Sequence, residues 1–191
     1  RYLDVQEGPT LSAFFKHRSP TRGQKGNEYN GGFHIPAIAR WPAHIAAGTE
    51  SDHIWAFWDF LPTAADLAGV SPPSGLDGIS ILPTLTGKGV QKQHEYLYWE
   101  HNQNQAIKWG DYFGHKASGA DLELYNLKTD PQQQNDISDD NTEMVEKINK
   151  MMADSHRSSD VWPSPGESKE AFQKRMEEQN IPKKPNNIGH F

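Results

Sequence analysis

The chain has 191 residues, of which 35% are hydrophobic, and it carries a formal net charge of -6. It contains no cysteine, which excludes disulfides, thiolate metal sites and cysteine nucleophiles, and its acidic balance argues against a nucleic-acid partner. No apolar run approaches the roughly 20 residues that a membrane-spanning helix needs. The mean hydropathy of -0.83 is low for a self-contained globular protein, so we expect a piece of a larger protein or long polar tails.

The first half of the chain predicts two elements joined by loops. Residues 1–32 are dense in glycine and proline and predict a loop. Residues 32–42 alternate apolar with other side chains and predict a short strand, in which Pro36 favours an edge position or a strand start. Residues 59–69 predict a helix, with Asp59 as its N-cap and Gly69 just past its end.

The second half begins with patterns typical of a small sheet. Strand-like alternation or apolar runs occur in residues 95–100, 105–113 and 122–127. A polar connector at residues 88–94 separates these patterns from the first half. We therefore expect an antiparallel sheet that begins shortly after residue 90.

Helical patterns follow the predicted strands. Residues 141–156 predict an amphipathic helix, and Asp140 with Glu143 resembles a capping box. Its apolar stripe, which we expect to be core, consists of Met144, Val145, Ile148, Met151 and Met152. Residues 166–180 predict a charged helix, and residues 181–191 predict a flexible tail.

Together these elements predict an α/β protein, more narrowly an α+β fragment. We expect residues 1–90 to be the end of an α/β domain. Residues 91–162 would form a small antiparallel sheet with a packed helix, and residues 163–191 a polar tail.

The densest group of candidate functional residues lies in residues 22–36. Lys25 stands close to Gly23 and Gly26, so we expect a flexible backbone on which the ammonium can approach an anion closely. Composition and spacing alone favour an ordinary solvated turn over an anion site at this place.

Three histidines, His94, His101 and His115, flank the predicted strands. A three-histidine metal site is one interpretation of them. Their spacings match no compact motif, so scattered histidines at the surface or at strand ends are favoured.

The segment that contains Lys25 resembles the C-terminal signature of the sulfatase family, the arylsulfatase-like branch of the alkaline phosphatase superfamily. The similar residues are Lys25, Gly26, Tyr29, Gly31, Gly32, Pro36 and 37–42. Further similar segments follow in the family's order, at 59–63, 66–69, 76–80, 98–100, 109–111, 123–127 and 130–131. The resemblance covers roughly residues 8–160 and implies a C-terminal portion of such an enzyme. It also implies an alkaline phosphatase-like fold, in which a large α/β domain precedes a small antiparallel sheet with a helix.

The resemblance further implies sulfuric ester hydrolysis. In this family a formylglycine attacks sulfur, and a divalent cation, usually calcium held by Asp and Asn, polarises the sulfate. Lys25 matches the lysine that contacts sulfate and leaving-group oxygens, which implies a catalytic role. His34 stands where the family has an arginine, and Glu100 and His101 match a region that lines the cleft. These three are the substrate-binding candidates.

The chain departs from the family pattern in several places. The Cys/Ser-x-Pro-x-Arg motif that yields the formylglycine is absent, and residues 19–22 have the wrong spacing for it. The Asp-Asn-Gly metal motif is not recognisable in residues 1–8, and Asp4 is not favoured as a ligand. The family's glutamate before Gly-Gly is Asn30. We therefore expect calcium in the complete enzyme but none bound by this chain, which should be inactive alone.

Several functional alternatives stay open. The expected partners are a sulfated small molecule or glycan and an N-terminal sulfatase region that supplies the nucleophile. The substitutions near Lys25 and the missing metal motif also fit a non-catalytic, sulfatase-derived binding or structural module. Another alkaline phosphatase superfamily member, such as a phosphodiesterase, is a third interpretation. The particular sulfate ester and the localisation are open, although the family's habit favours the periplasm or secretion.

Overall fold

A computed structural model describes residues 21–101 and 103–179. The chain forms two compact units: Arg1–His34 with Tyr98–Phe191, here the sheet unit, and Ile35–Leu97, here the helical unit. Within the described residues, no helix has the length and apolar character needed to span a bilayer. The domain division predicted from sequence, into residues 1–90, 91–162 and 163–191, stays a prediction.

The sheet has four strands in the order β1-β2-β3-β4. The strands are β1 Leu97–His101, β2 Asn104–Trp109, β3 Tyr112–Lys116 and β4 Leu122–Asn126. Strand β3 pairs antiparallel with both β2 and β4. The predicted antiparallel sheet is therefore confirmed.

The predicted single strand over residues 105–113 is wrong, because a hairpin turn divides it. Trp109 pairs with Tyr112, which leaves Gly110 and Asp111 as a two-residue turn. Gly110 has a φ of 56°, as expected at the first central position of a II′ hairpin turn. Aromatic residues on both sides of the turn continue the apolar pattern and conceal the break.

The helix Thr142–Ser155 packs on this sheet through contacts with β2 and β4. It buries Ile148, Met151 and Met152, which confirms the predicted core role of these three, whereas Met144 and Val145 are only half-buried. On the face toward this helix the sheet buries Ile107, Leu122 and Leu124, and on the opposite face it buries Ala106, Phe113 and Tyr125. The predicted capping box at Asp140 is wrong, because the N-cap is Asn141 and its side chain makes no capping hydrogen bond.

A shorter helix, Lys169–Glu178, follows in the sheet unit and is capped by Ser168, whose side chain accepts a hydrogen bond from the Ala171 amide. Arg175, within this helix, stabilises the bend that precedes the helix. Its guanidinium donates to the Glu167 carboxylate at 2.9 Å and to the carbonyl oxygens of Ser159 and Trp162. This helix agrees with the predicted charged helix. The predicted tail, residues 181–191, lies outside the described residues.

The helical unit contains a 3-10 helix, Phe57–Asp59, that runs into the helix Phe60–Ala68, and a separate helix, Leu82–Thr86. The predicted helix at 59–69 is confirmed, and Gly69 has the left-handed φ of 67° that ends it. Asp59 occupies the N-cap position, but its side chain makes no capping bond to this helix.

The strand predicted over residues 32–42 is wrong. Residues 30–33 form a short helix, Asn30–Phe33, and residues 34–42 form no strand. Ile38 is 98% exposed and Ile35 is 54% exposed, so the alternation that predicted a half-buried strand meets no neighbouring strand among the described residues. Pro36 also removes one of the amide donors that pairing would need.

Candidate functional site

Lys25 lies in a closed turn. The Asn27 amide donates to the Gln24 carbonyl at 3.1 Å, and the Asn27 side-chain oxygen accepts from the Gln24 amide at 3.2 Å. Lys25 and Gly26 occupy the centre of this turn and are exposed. The Lys25 ammonium makes no hydrogen bond or ion pair with residues 21–101 or 103–179. The neighbouring glycines thus flank a hydrogen-bonded turn, and the flexibility expected of this backbone stays a prediction.

The segment around this turn, residues 21–33, is named the lysine loop and folds back on itself. The Gly31 amide donates to the Arg22 carbonyl at 2.7 Å. A Cβ atom at Gly31 would lie 2.6 Å from the Gly23 carbonyl oxygen, and one at Gly32 would lie 2.0 Å from the Asn27 carbonyl oxygen. Because a Cβ atom cannot approach another atom this closely, the Gly-Gly pair is required by the path of the loop.

Arg22 fixes the N-terminal side of the lysine loop. Its guanidinium carbon lies 3.7 Å from the centre of the Tyr29 ring, a cation-π contact. The same guanidinium donates to the Tyr125 hydroxyl at 3.2 Å and to the Gln133 carbonyl at 3.0 Å. Arg22 thus joins the loop to β4 and to the segment that follows it.

Glu28 fixes the other side of the turn. The residue is only 6% exposed. One carboxylate oxygen lies 2.6 Å from Nδ1 of His101, at the end of β1. The other accepts from the side-chain NH2 of Asn104, at the start of β2, at 3.0 Å. A buried carboxylate is costly unless it is paired and hydrogen-bonded, and this one is.

Gln133 and Phe33 hold the end of the loop. Gln133 is fully buried, and its side-chain oxygen accepts from the Asn30 amide at 2.9 Å. The Phe33 ring stacks on Trp99 of β1 with centroids 4.3 Å apart. These contacts position the short helix Asn30–Phe33 against the sheet.

The four predicted site residues have different surroundings. Lys25 is presented by the turn, and His101 contacts Glu28 of the same loop. His34 is exposed at the end of the short helix, and its amide donates to the Asn30 carbonyl at 2.9 Å. Glu100 accepts from the Tyr98 hydroxyl and lies 2.7 Å from Nδ1 of His156. The structure therefore links His101 to the lysine loop directly, whereas the hydrogen bonds of Glu100 run elsewhere.

Sequence reasoning did not identify the residues that hold the lysine loop. Glu28 and His101 are 73 positions apart, and Arg22 and Gln133 are 111 apart. The only local signal was an acidic residue within a loop rich in glycine and asparagine.

The histidines contact separate carboxylates rather than one another. His94 lies 2.8 Å from Asp59, His101 lies 2.6 Å from Glu28, and His115 lies 3.4 Å from Glu123. No group of three or more His, Cys, Asp or Glu side chains suited to a metal ion occurs in the described part of the chain. Asp4 lies outside the described residues.

A buried carboxylate in the helical unit was also missed. Asp59 has no exposed surface. It accepts from the backbone amides of Ala56 and Ile79 at 2.8 and 2.7 Å, and it lies 2.8 Å from Nε2 of His94. Both carboxylate oxygens are hydrogen-bonded within the fold, so Asp59 stabilises the unit.

The matching family model and two similar relatives all belong to the sulfatases. The family model "N-sulphoglucosamine sulphohydrolase, C-terminal" matches residues 24–158. The chain is 39% identical over 93 residues to N-acetylgalactosamine-6-sulfatase of Mus musculus, covering 48% of this chain and 18% of that protein. It is 37% identical over 91 residues to steryl-sulfatase of Homo sapiens, covering 46% of this chain and 16% of that protein. The matched segments span less than a fifth of these relatives.

Solved structures share the fold. A Bacteroides thetaiotaomicron protein, described with a core genetic locus for the metabolism of multiple glycosaminoglycans, matches with a TM-score of 0.65 and 24% identity, covering 75% of this chain and 34% of its own. A Pseudoalteromonas sulfatase matches with a TM-score of 0.59 and 25% identity, covering 72% of this chain and 32% of its own. The predicted fold class and the resemblance to the C-terminal portion of a sulfatase are thus confirmed. The chain belongs to the family of C-terminal domains named after N-sulphoglucosamine sulphohydrolase, within the sulfatases.

Proposed function

We propose that the chain is the part of a sulfuric ester hydrolase that supplies Lys25 to the sulfate-binding site. One observation carries the proposal. An exposed ammonium, which has no counter-charge among the described residues, stands on a turn that the fold holds on both sides. Such a cation is ready for an anion that arrives from outside the described residues.

The chemistry of sulfate-ester cleavage requires positive charge of this kind. Negative charge builds up on the sulfate oxygens and on the leaving oxygen as the sulfur–oxygen bond breaks, and donors fixed beforehand stabilise it. An ammonium offers three hydrogen-bond donors and a compact charge. Lys25 would donate to one of these oxygens without first giving up a partner within the described fold.

The names of the relatives indicate what the substrates share. One relative is named for the 6-sulfate of N-acetylgalactosamine and the other for steryl sulfates. Their alcohols are unlike and only the sulfate ester is common to both. We therefore assign Lys25 to the sulfate end and leave a sulfated small molecule or glycan as the substrate class. His34, Glu100 and His101 remain our candidates for contacts with the alcohol portion.

The rest of the site is proposed to come from an N-terminal sulfatase region. The helical unit exposes large apolar side chains, with Phe57 at 76%, Phe60 at 68% and Ile38 at 98%. Exposed apolar surface on this scale is typical of an interface, which a preceding α/β region of the same protein would cover. That region would also supply the formylglycine, which serves as nucleophile, and the ligands for calcium.

The test is turnover of an aryl sulfate by the complete protein. Lys25→Ala should lower kcat/KM by about 100-fold, as expected for the loss of one donor to a developing oxyanion. Lys128→Ala removes an exposed lysine from the turn after β4 and serves as the matched control, which should keep wild-type turnover. Equal turnover in Lys25→Ala and wild type would refute the assignment. A complete wild-type protein without sulfatase activity would favour the non-catalytic module.

A further inference from the structure

We propose that Glu28 is a positioning residue for Lys25, held in place by His101 and Asn104. The inference rests on the proposed role of Lys25 in sulfate binding. It assigns to a buried carboxylate that touches no substrate the task of keeping the catalytic ammonium in one place.

The first step concerns burial. Glu28 is the buried polar side chain of the lysine loop, at 6% exposure, and its partners come from the end of β1 and the start of β2. Removing a carboxylate from water is costly, and only well-placed donors compensate for it. The low-energy arrangement therefore exists at one position of the loop relative to the two strands, and a shifted loop would leave a buried charge without its donors.

The second step concerns the partners, which are themselves fixed. The Asn104 side-chain oxygen accepts from the Ser118 amide at 3.0 Å. This contact assigns the other end of the amide group, the NH2, to Glu28. His101 Nδ1 lies 2.6 Å from a Glu28 carboxylate oxygen. Because a carboxylate accepts hydrogen bonds, Nδ1 is assigned the proton and donates it to Glu28 in this bond. The two donors thus meet the carboxylate from orientations that the strands determine.

The third step concerns where the fixed points lie in the sequence. Arg22 and Glu28 each lie three residues from Lys25, one on either side. The turn between them is closed by the Asn27 amide. Because the short segment is fixed at both ends, the backbone that carries the ammonium has few accessible conformations. Little conformational entropy is therefore lost when the transition state forms.

This arrangement predicts a kinetic signature. Loss of the Glu28 contact would leave the charge of Lys25 intact but let the turn move. Partners that orient a catalytic group are typically worth about 10-fold to 100-fold. We expect Glu28→Ala to lower kcat by about 10-fold and to change KM much less, because the ammonium can still attract the sulfate.

The experiment is a double-mutant cycle on the complete protein, with kcat and KM measured on an aryl sulfate for Glu28→Ala, Lys25→Ala and the double variant. Glu146→Ala, an exposed carboxylate on the helix Thr142–Ser155, is the control and should match wild type. If Glu28 acts through Lys25, Glu28→Ala should lower kcat by about 10-fold in the wild-type background. In the Lys25→Ala background it should leave kcat almost unchanged. Equal losses in both backgrounds would overturn the positioning role while leaving Lys25 catalytic.

Hydrogen exchange separates failure of this inference from failure of the proposed function. Glu28→Ala should speed exchange of the Asn27 amide, which closes the turn, relative to amides of the helix Thr142–Ser155. Unchanged exchange would overturn the positioning role whatever Lys25 does. Suppose instead that exchange of the Asn27 amide is faster in Glu28→Ala but turnover is unchanged in Lys25→Ala. That result would overturn only the proposed catalytic role of Lys25. If Glu28→Ala does not fold, Asn104→Ala removes one of the two Glu28 contacts, together with the bond from the Ser118 amide, and keeps the carboxylate beside His101. The same outcomes then support or overturn the positioning role.

Discussion

The hydroxyl of Tyr29 donates a hydrogen bond of 2.8 Å to the same Glu123 oxygen that accepts from Tyr125 at 2.6 Å. Burial and the bond to Glu123 raise the pKa of Tyr29 to about 12. Burial alone would raise the pKa of Glu123, but the hydrogen bonds from Tyr125 and Tyr29, followed by the electrostatic effects of His115 and Arg22, outweigh it and hold that pKa below its ordinary value. The ionised form of Glu123 therefore stabilises the contact between the lysine loop and β4.

This depressed pKa predicts how stability depends on pH. A carboxylate with a lower pKa in the folded state contributes fully above its unfolded pKa, about 4.3 for glutamate, and the contribution is lost as the pH falls through the folded value. Wild type should therefore exceed Glu123→Gln in free energy of unfolding at pH 7, and the difference should narrow below about pH 4.

Urea unfolding at a series of pH values, followed by tryptophan fluorescence, checks this. Asp121→Asn, an exposed carboxylate just before β4, is the control, and its difference from wild type should change little with pH. A difference for Glu123→Gln that stays constant from pH 7 to below pH 4 would contradict the assigned role.

Gly32→Ala should destabilise the lysine loop. The new Cβ atom would lie 2.0 Å from the Asn27 carbonyl oxygen, so the backbone must move, at a cost of about 3 kcal/mol. Gly119→Ala is the comparison within the same unit: no atom lies within 4 Å of its Cβ position, and its φ is 74°. That change should cost about 1 kcal/mol from backbone conformation alone.

Thermal and urea unfolding of the two variants measure the difference. A loss for Gly32→Ala no greater than that for Gly119→Ala would show that the loop can relax. The closed path described for residues 21–33 would then be wrong.

Asp59→Asn should destabilise the helical unit. The amide group can accept with one atom only, and its NH2 would face a donor where the carboxylate oxygen now accepts. A buried donor that loses its acceptor costs about 1 to 3 kcal/mol. Asp66→Asn, exposed on the same helix, should change the free energy of unfolding by less than about 0.5 kcal/mol. Equal effects of the two variants in urea unfolding would argue against the network.

Local periodicity was sufficient to predict the elements that the chain completes by itself. The helix Thr142–Ser155 buries Ile148, Met151 and Met152 against its own sheet. The apolar spacing in the sequence therefore predicts which of its residues are in the core. The same logic failed at residues 32–42. Ile38 there is almost fully exposed, and nothing in the described chain gives the alternation a surface to pack against.

The site could be predicted only in part. The motif around Lys25 predicts a functional cation there, and that role stays a prediction, whereas the close approaches at Gly31 and Gly32 were found only in the structure. The contacts that fix the loop could not be found this way, because Glu28 reaches His101 and Arg22 reaches Gln133 across long stretches of sequence. Local spacing contains no information about such pairs.

The bend clipped by Arg175 has a practical consequence for expression. Its guanidinium reaches back to carbonyl groups at Ser159 and Trp162, and the Gln103 side chain donates to the Glu167 carbonyl at 3.1 Å. A shortened protein that stops soon after Trp162 would leave the Ser159 and Trp162 carbonyl oxygens without Arg175 and the Gln103 side chain without the Glu167 carbonyl. Crystallisation trials of truncated versions should therefore retain the chain at least to Glu178, where the last described helix ends.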